Sequence, residues 1–358
     1  MHHHLARAPL PAETATDFQP RMADVLPPRA VSECPPVAVK PDFFIVGGPK
    51  CGTTAMADYL AAHPGIFMAR KEMHFFGKDL RFASHFYRRA EREYLAEFEG
   101  WKGQRRVGEA SVWYLFSETA IEEIVRFNPS ARIIVMLREP VQMMYSLFQS
   151  FRYDGNEPLA TFLEALDAEP DRRAGRRLGR QTYFAQGLDY HHAVRSAERL
   201  QRCFNILGRD RVHVILYEDM AANPAAVYEA ALKFLEVDST HTLPEFPRVN
   251  QAKDVKSPLM RAVFNDPALR NAVLAIRPLM PRSFFYLFHL VEKTLRYFNS
   301  TIRKSPPLEP ELESQLRGEF VSEVTQLGDL IGRDLSHWSG EKAPARKKVC
   351  AVRDGVTL

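Results

Sequence analysis

The stretch Phe43-Phe44-Ile45-Val46-Gly47-Gly48-Pro49-Lys50-Cys51-Gly52-Thr53-Thr54 runs from four apolar residues into a glycine-rich turn and then into two threonines. A short β-compatible apolar run stopped by Gly-Gly-Pro reads as a buried strand entering a loop. From Thr53 to Ala62 the pattern changes period, and Ala55, Met56, Tyr59 and Leu60 share one side of a helix that His63-Pro64-Gly65 stops. A turn of this kind lets the backbone close around an anion. Its glycines permit tight curvature, and the helix start offers unpaired N–H groups and a partial positive charge.

The same alternation continues outward. Arg132-Ile133-Ile134-Val135-Met136-Leu137 is a second uninterrupted apolar strand, followed by Arg138-Glu139-Pro140 and an apolar helix from Val141 to Phe151. Proline suits a helix start, where its missing N–H would be unpaired anyway. Val212-His213-Val214-Ile215-Leu216-Tyr217 is a third strand, and Asn223-Pro224 opens a helix ending near Leu235. Unbroken apolar strands separated by helices predict an α/β fold, P-loop-like and three-layered, with a central parallel sheet flanked by helices. From Ser257 on the chain reads as a mostly helical C-terminal portion, punctuated by Pro281 and Pro306-Pro307. Residues 1–41 hold eight of the 25 prolines and no apolar period, so they are expected to be a mobile leader. Residues 42–345 are expected to form one domain, and 346–358 a tail.

Composition bounds the partners. The 358 residues carry 48 Lys and Arg against 44 Asp and Glu, a net +4, with 46% hydrophobic and 26% charged, which excludes disordered, collagenous and coiled-coil classes. The longest charge-free stretch, Pro140 to Phe151, is far short of the ~20 apolar residues of a membrane-spanning helix. No secretory leader is visible, and the expected setting is cytoplasmic, with Cys34, Cys51, Cys203 and Cys350 reduced. The cysteines form no CxxC, the histidines form no HExxH, and no metal site is expected. The charge is uneven: Leu259–Lys304 carries +6, so the remainder stands at −2 and a nucleic-acid partner is not expected.

The loop departs from the triphosphatase pattern GxxxxGK[ST] in one informative place. Gly47 and Gly52 have the required spacing and Thr54 fills the hydroxyl position, but Thr53 stands where the lysine belongs, and Lys50 lies inside the loop. The second strand ends in Arg138 rather than an acid for magnesium, so the two cations suit a nucleotide with two separate phosphate sites and no metal.

With these residues in place, Phe43–Phe76 and Asn128–Asn156 resemble the two cofactor signatures of sulfotransferases that use 3′-phosphoadenosine 5′-phosphosulfate. The resemblance is to the glycan branch, including heparan sulfate sulfotransferases and their bacterial relatives. It extends from about Phe43 to Lys253 and more weakly to Trp338, and is carried by the loop, the run Lys71-Glu72-Met73-His74-Phe75-Phe76 and the Arg138…Ser146 pair in that order. It implies that Pro49, Lys50, Cys51, Gly52, Thr53 and Thr54 hold the 5′-phosphosulfate, and that Arg138 and Ser146 hold the 3′-phosphate. It also implies adenosine-side contacts at Tyr183 and Gly187, and a late loop over the 3′-phosphate containing Lys253. The product would be adenosine 3′,5′-bisphosphate.

Glu72 stands among Met73, Phe75 and Phe76, and a partly desolvated carboxylate gains proton affinity and becomes a usable base. The resemblance assigns Glu72 the proton of an acceptor hydroxyl, with His74 as the alternative base or an orienting neighbour. Lys50 and the loop amides would neutralise the leaving phosphate during in-line transfer. One departure concerns the acceptor. Heparan-modifying enzymes carry a lysine in an E-K-T-P-like segment, whereas Gly108-Glu109-Ala110-Ser111 has Ala110 there. Trp113 reads as core or as the lining of an apolar acceptor pocket.

Two basic stretches stay open. Residues 259–304 are a basic helical insertion: either a flap packed on the core, or a helix lying peripherally on anionic lipid that would bring the site to a lipid-linked hydroxyl. Arg172, Arg173, Arg176, Arg177 and Arg180 read as a mobile loop near cofactor or acceptor. The acceptor class spans carbohydrate, glycolipid and other alcohols. Competing functions are a nucleotide-dependent kinase and a non-catalytic, membrane-associated nucleotide-binding protein.

Overall fold

The structure, a computed structural model, describes residues 39–83, 90–243, 245–246, 253–255, 257, 266, 272, 294, 300–302 and 306–340. Residues 1–38 of the expected leader, the 346–358 tail and nearly all of 259–304 lie outside the described residues, while Lys40 and Pro41 at the leader's end are held by Phe127 and Asn128.

In chain order the elements are β1 (Phe43–Gly47), α1 (Thr53–Ala61), β2 (Ile66–Met68), α2 (Glu91–Ala96), β3 (Arg106–Ala110), α3 (Ala120–Phe127), β4 (Arg132–Leu137), α4 (Pro140–Asp154), α5 (Phe162–Asp167) and α6 (Glu169–Arg173). They continue with α7 (Tyr190–Val194), α8 (Ala197–Leu207), β5 (Val212–Leu216), α9 (Tyr217–Ala222), α10 (Pro224–Phe234), β6 (Lys253–Val255), β7 (Ser300–Ile302), α11 (Pro310–Glu319) and α12 (Val321–Ile331). Five strands form a sheet in the order β2-β3-β1-β4-β5, every pairing parallel.

Every residue of β1 is buried, and β4 is buried beyond Arg132. Because successive side chains point to opposite faces, full burial of a strand means that both faces are covered. Phe43, Phe44, Ile45 and Val46 are fully enclosed, and burial of such side chains stabilises by ~1.5–3 kcal/mol each. That is why the three most apolar strands are readable from sequence alone.

β2 and β3 are not. β3 reads Arg-Val-Gly-Glu-Ala, with a glycine and two charged residues in five positions. The glycine is required by its neighbours: a Cβ at Gly108 would overlap the Phe43 ring and Met68 Sδ. The expected strand through Tyr217 ends at Leu216, and Tyr217 opens α9. Lys253, expected in a loop, opens β6, whose antiparallel partner β7 lies far along the chain where no local pattern announces it.

The arginine cluster is corrected more substantially. Arg172 lies in α6 with its side chain 1% exposed, and its Nη2 donates to the buried Glu157 at 2.6 Å. Arg173 pairs with Asp189, Arg176 with Asp171 and Arg180 with Asp266. A run of arginines looks like a free basic loop when the chain is read locally, but acids from distant segments partner most of it. Trp113 is core: it is buried and packs against Phe116, Phe151 and Phe184.

α4 begins directly after β4. Glu139 caps it by accepting from the N–H groups of Val141 (3.2 Å) and Gln142 (2.8 Å), with Pro140 in the first turn. At the C-terminal end, Glu323 of α12 accepts from the Ser196 and Ala197 N–H groups at the start of α8. Among the described residues no helix is long and apolar enough to cross a membrane.

Candidate functional site

A parallel sheet collects its loops at one edge, beyond the carboxyl ends of the strands, where ligands of open α/β sheets bind. Four segments meet there: Gly48–Gly52 after β1, Ala69–Phe76 after β2, Ser111–Tyr114 after β3 and Arg138 after β4.

The first loop is shaped to stay open. Gly52 stands at φ +87 immediately before α1, whose start has no side-chain cap and no acid in its first turn. The first N–H groups of that helix therefore have no partner within the helix, and the partial positive charge there is not offset by a side chain. A Cβ at Gly52 would meet Met220 Cε and the Tyr217 ring (3.3 Å), and one at Gly48 would meet Met143 and Cys51 Sγ (2.9 Å). Cys51 is buried, with Sγ 3.7 Å from Met143 Sδ, and burial pushes its thiol up to about 12. Pro49 and Thr53 are likewise buried.

Lys50 itself stands at φ +69, a strained setting for a residue with a Cβ. Burial lowers its pKa, as does the Arg138 charge, while Asp154 opposes both. Arg138 Nη1 donates to the Lys50 carbonyl at 3.1 Å and Nη2 to Gln142 Oε1 at 3.3 Å, and the guanidinium lies 4.5 Å from the centre of the Tyr217 ring. Its Nε is buried without a hydrogen-bond partner. A fixed guanidinium with a donor to spare, beside an uncapped helix start, fits a group carrying phosphates.

The second segment carries two titratable side chains, Glu72 and His74. Glu72 is at φ +58 and His74 at φ +49. The Glu72 N–H donates to the Ala110 carbonyl (2.8 Å), and Glu72 Oε2 accepts from the Val112 N–H (3.3 Å) and lies 3.6 Å from His74 Nε2. The carboxylate is walled by protein, yet 37% of the side-chain surface still meets solvent, so it occupies a crevice open on one side. Burial pushes Glu72 up to about 7, aided by the Glu109 charge and opposed by Lys71 and the Val112 N–H. Burial pushes His74 the other way, down to about 4, and its ring packs on Phe82. The same burial thus drives the proton affinities of these two neighbours in opposite directions.

Beneath this segment lies Glu109, completely enclosed. Its carboxylate accepts from the hydroxyls of Ser111 (2.8 Å), Tyr114 (2.7 Å) and Tyr94. Ser111 Oγ in turn accepts from the Met73 and His74 N–H groups, and Tyr114 OH from those of Phe75 and Phe76. Burial and the Glu109 charge hold both phenols far above their usual pKa, so they remain donors.

The Sulfotransferase domain profile matches residues 40–254. The chain belongs to that family. A sulfotransferase from Alicyclobacillus acidocaldarius superposes with a TM-score of 0.62 at 27% identity, over 84% of this chain and 99% of that one. The heparan sulfate N-deacetylase/N-sulfotransferase 1 of Caenorhabditis briggsae is 26% identical over 247 residues, 67% of this chain and 26% of that protein. Human carbohydrate sulfotransferase 15 is 32% identical over 153 residues, 31% of this chain and 27% of that protein. The chain thus spans about a quarter of the length of these curated relatives.

Within this sulfotransferase domain, Pro49–Thr54, Glu72, His74 and Arg138 converge on one edge of the sheet. Ser146 is half-buried in the second turn of α4. Tyr183 donates its hydroxyl to Asp154 Oδ2 at 2.8 Å, at the far end of the same helix, and Gly187 is buried nearby against Phe151 and Phe184. Lys253 is placed by its backbone in β6, and its side chain lies outside the described residues. Tyr217, Glu109 and Lys71 also line this edge without being marked in the sequence as site residues. Lys71 adjoins Glu72 and was visible as a charge. Glu109 was visible only as a lone acid among apolar residues. Nothing local marks Tyr217. Among the described residues no group of three His, Cys, Asp or Glu stands ready to share a metal ion.

Proposed function

We propose that this sulfotransferase domain moves a sulfuryl group from 3′-phosphoadenosine 5′-phosphosulfate to an acceptor hydroxyl on a carbohydrate, glycolipid or other alcohol. The observation that carries the reading is the convergence of two cations and a proton-seeking carboxylate on one sheet edge, with Arg138 fixed on the Lys50 carbonyl and Glu72 one segment away. Lys50, Gly52, Thr53 and Thr54 are assigned the 5′ side, and Arg138 with Ser146 the 3′-phosphate. The phosphosulfate, when bound, supplies an activated sulfuryl group. Glu72 accepts the hydroxyl's proton at a carboxylate oxygen, and its affinity near neutrality makes that transfer favourable without sacrificing the ionised form. Lys50 offsets negative charge on the 5′ side from within a partly desolvated loop, where a charge acts more strongly than in water.

The heparan sulfate and carbohydrate sulfotransferases it is similar to favour a glycan acceptor, and Ala110 in place of a lysine argues against a strongly anionic one. The test is thermal stabilisation by adenosine 3′,5′-bisphosphate against ATP with magnesium. A ligand at ~100 times its Kd stabilises by ~2.7 kcal/mol. Preferential stabilisation by the bisphosphate, with transfer of labelled sulfate from the phosphosulfate to a panel of sugars and alcohols, is the expected result. Preference for ATP with magnesium overturns the reading in favour of a kinase. Binding without transfer to any acceptor favours a non-catalytic nucleotide-binding protein.

A further inference from the structure

Lys71 has no role in the chemistry described so far, and its position is unusual. Its ammonium donates to Thr54 Oγ1 at 2.6 Å, across seventeen residues of chain, so the segment carrying Glu72 is tied to the first turn of α1. Burial lowers the affinity of Lys71 for its proton, as does the Lys50 charge, while Glu72 and Asp58 work to keep it charged. A half-buried lysine held in this way binds a hydroxyl on the donor loop and feels the charge of the Glu72 carboxylate.

The chemistry of the contact fixes more than distance. An ammonium only donates, so Thr54 Oγ1 must accept from it, and the hydroxyl's own proton is directed elsewhere. Position 110, where heparan-modifying relatives bring a lysine, holds alanine, and its carbonyl takes the Glu72 N–H. The cation is therefore delivered from the segment after β2 that carries Glu72 rather than from β3.

We infer that Lys71 is a positioning residue for sulfuryl transfer, acting through two others: it orients the Thr54 hydroxyl toward the donor and keeps Glu72 ionisable inside its crevice. The inference rests on the reading of Glu72 as the base. The charged and titratable groups facing that carboxylate are Lys71, Glu109 and His74, and those facing Lys71 are Glu72, Asp58 and Lys50. Glu109 disfavours ionisation of Glu72, and His74 is neutral through the working range, which leaves Lys71 as the side-chain cation that favours it.

The experiment has one readout that requires no turnover. Glutamate labelled with carbon-13 at the carboxyl reports the Glu72 titration by NMR, the signal being assigned by its loss in Glu72→Gln. In Lys71→Met, which keeps the stem and removes the charge, the Glu72 midpoint should move up by ~1 pH unit or more. Lys71→Arg should restore most of that shift. Where transfer is measured, Lys71→Met should lower kcat about tenfold or more at neutral pH and move the acidic limb of the profile in step with the NMR midpoint, while bisphosphate affinity changes by less than about threefold. An unmoved Glu72 midpoint in a folded Lys71→Met protein overturns the inference, whatever becomes of activity. A moved midpoint with wild-type protein inactive on every acceptor counts against the assignment of Glu72, not against the coupling of Lys71 to it. Loss of bisphosphate affinity in Lys71→Met, rather than of kcat, would make Lys71 a donor-binding residue and overturn the positioning role.

Discussion

Replacement of Glu72 by glutamine tests the base with almost no change of shape. At an affinity near 7, the carboxylate is about 3% ionised at pH 5.5 and about 75% ionised at pH 7.5, so kcat/KM should rise about 25-fold across that interval. A glutamate at its ordinary value would give a rise of about 1.1-fold over the same range. His74, pushed down to about 4, would as base place its inflection near that value and leave the interval flat. The pH profile of kcat/KM therefore separates the two candidates before any substitution is made. Glu72→Gln should then remove the inflection and lower kcat by ~10²–10⁴. Bisphosphate binding, read by thermal shift, should persist because the cations of the donor side are untouched. A flat profile from pH 5.5 to 7.5, or a glutamine variant keeping most of its turnover, refutes the assignment.

The same group carries a linked effect on stability. A folded-state affinity raised above the unfolded value means that stability is complete below about 4.5 and is lost as pH rises through about 7, so Glu72→Gln should melt no lower than wild type at pH 8 and relatively lower at pH 4. His191 is held by Glu169 at 2.8 Å and Glu319 at 3.0 Å, which together raise its affinity, so it stabilises fully below its ordinary value near 6.5 and progressively less as pH climbs through the raised one. His191→Gln should cost ~1 kcal/mol more at pH 6 than at pH 9, a difference of ~2–4 °C in Tm. Gly108→Ala forces a Cβ into the Phe43 ring and Met68, and should cost ~1–3 kcal/mol in urea denaturation with m unchanged. Glu109→Leu leaves the Ser111, Tyr114 and Tyr94 hydroxyls without their shared acceptor and should cost ~3 kcal/mol or more, measured in the same way.

The division between what the sequence discloses and what it conceals follows physical lines. β1, β4 and β5 are buried on both faces or nearly so, and burial writes itself as an unbroken apolar run. The donor loop is equally legible, because curvature around an anion demands glycine and the helix start favours hydroxyl residues. Lys50 and Arg138 stand out as charges just beyond readable strands, and Glu72 as an acid within an aromatic run. What is hidden depends on partners distant in the chain. Arg172 looks exposed until Glu157 is placed beside it, Lys253 looks like a loop residue until Ile302 pairs with it, and Lys71 looks like a surface lysine until Thr54 Oγ1 accepts its hydrogen bond. A local pattern reports how a residue meets the sheet, and carries no information on which other charge it will meet.

The site's geometry has a cost that its surroundings must bear. Among the described residues, non-glycine side chains at positive φ are Lys50, Glu72, His74, Arg177 and Glu236, and three of the five belong to the candidate site. Each such residue costs of order 1 kcal/mol or more, and persists only where neighbours over-determine it. For Glu72 and His74 the agent is identifiable. Ser111 and Tyr114 grip the amides from Met73 to Phe76, and both hydroxyls are aimed by one enclosed carboxylate, Glu109. Relaxing Glu72 to an ordinary conformation would break those amide contacts one after another, leaving polar groups unpaired in an aromatic cluster at a penalty larger than the strain. The left-handed turn is thus held by the core beneath it, and what it accomplishes is to present the Glu72 carboxylate and the His74 ring in the same crevice from positions only two residues apart. An extended segment would also set residues 72 and 74 on one face, but would bury Met73 on the other side without this approach to the Val112 amide and to His74. The strain is therefore what brings the Glu72 carboxylate and its neutral neighbour into one crevice beside the loop after β1.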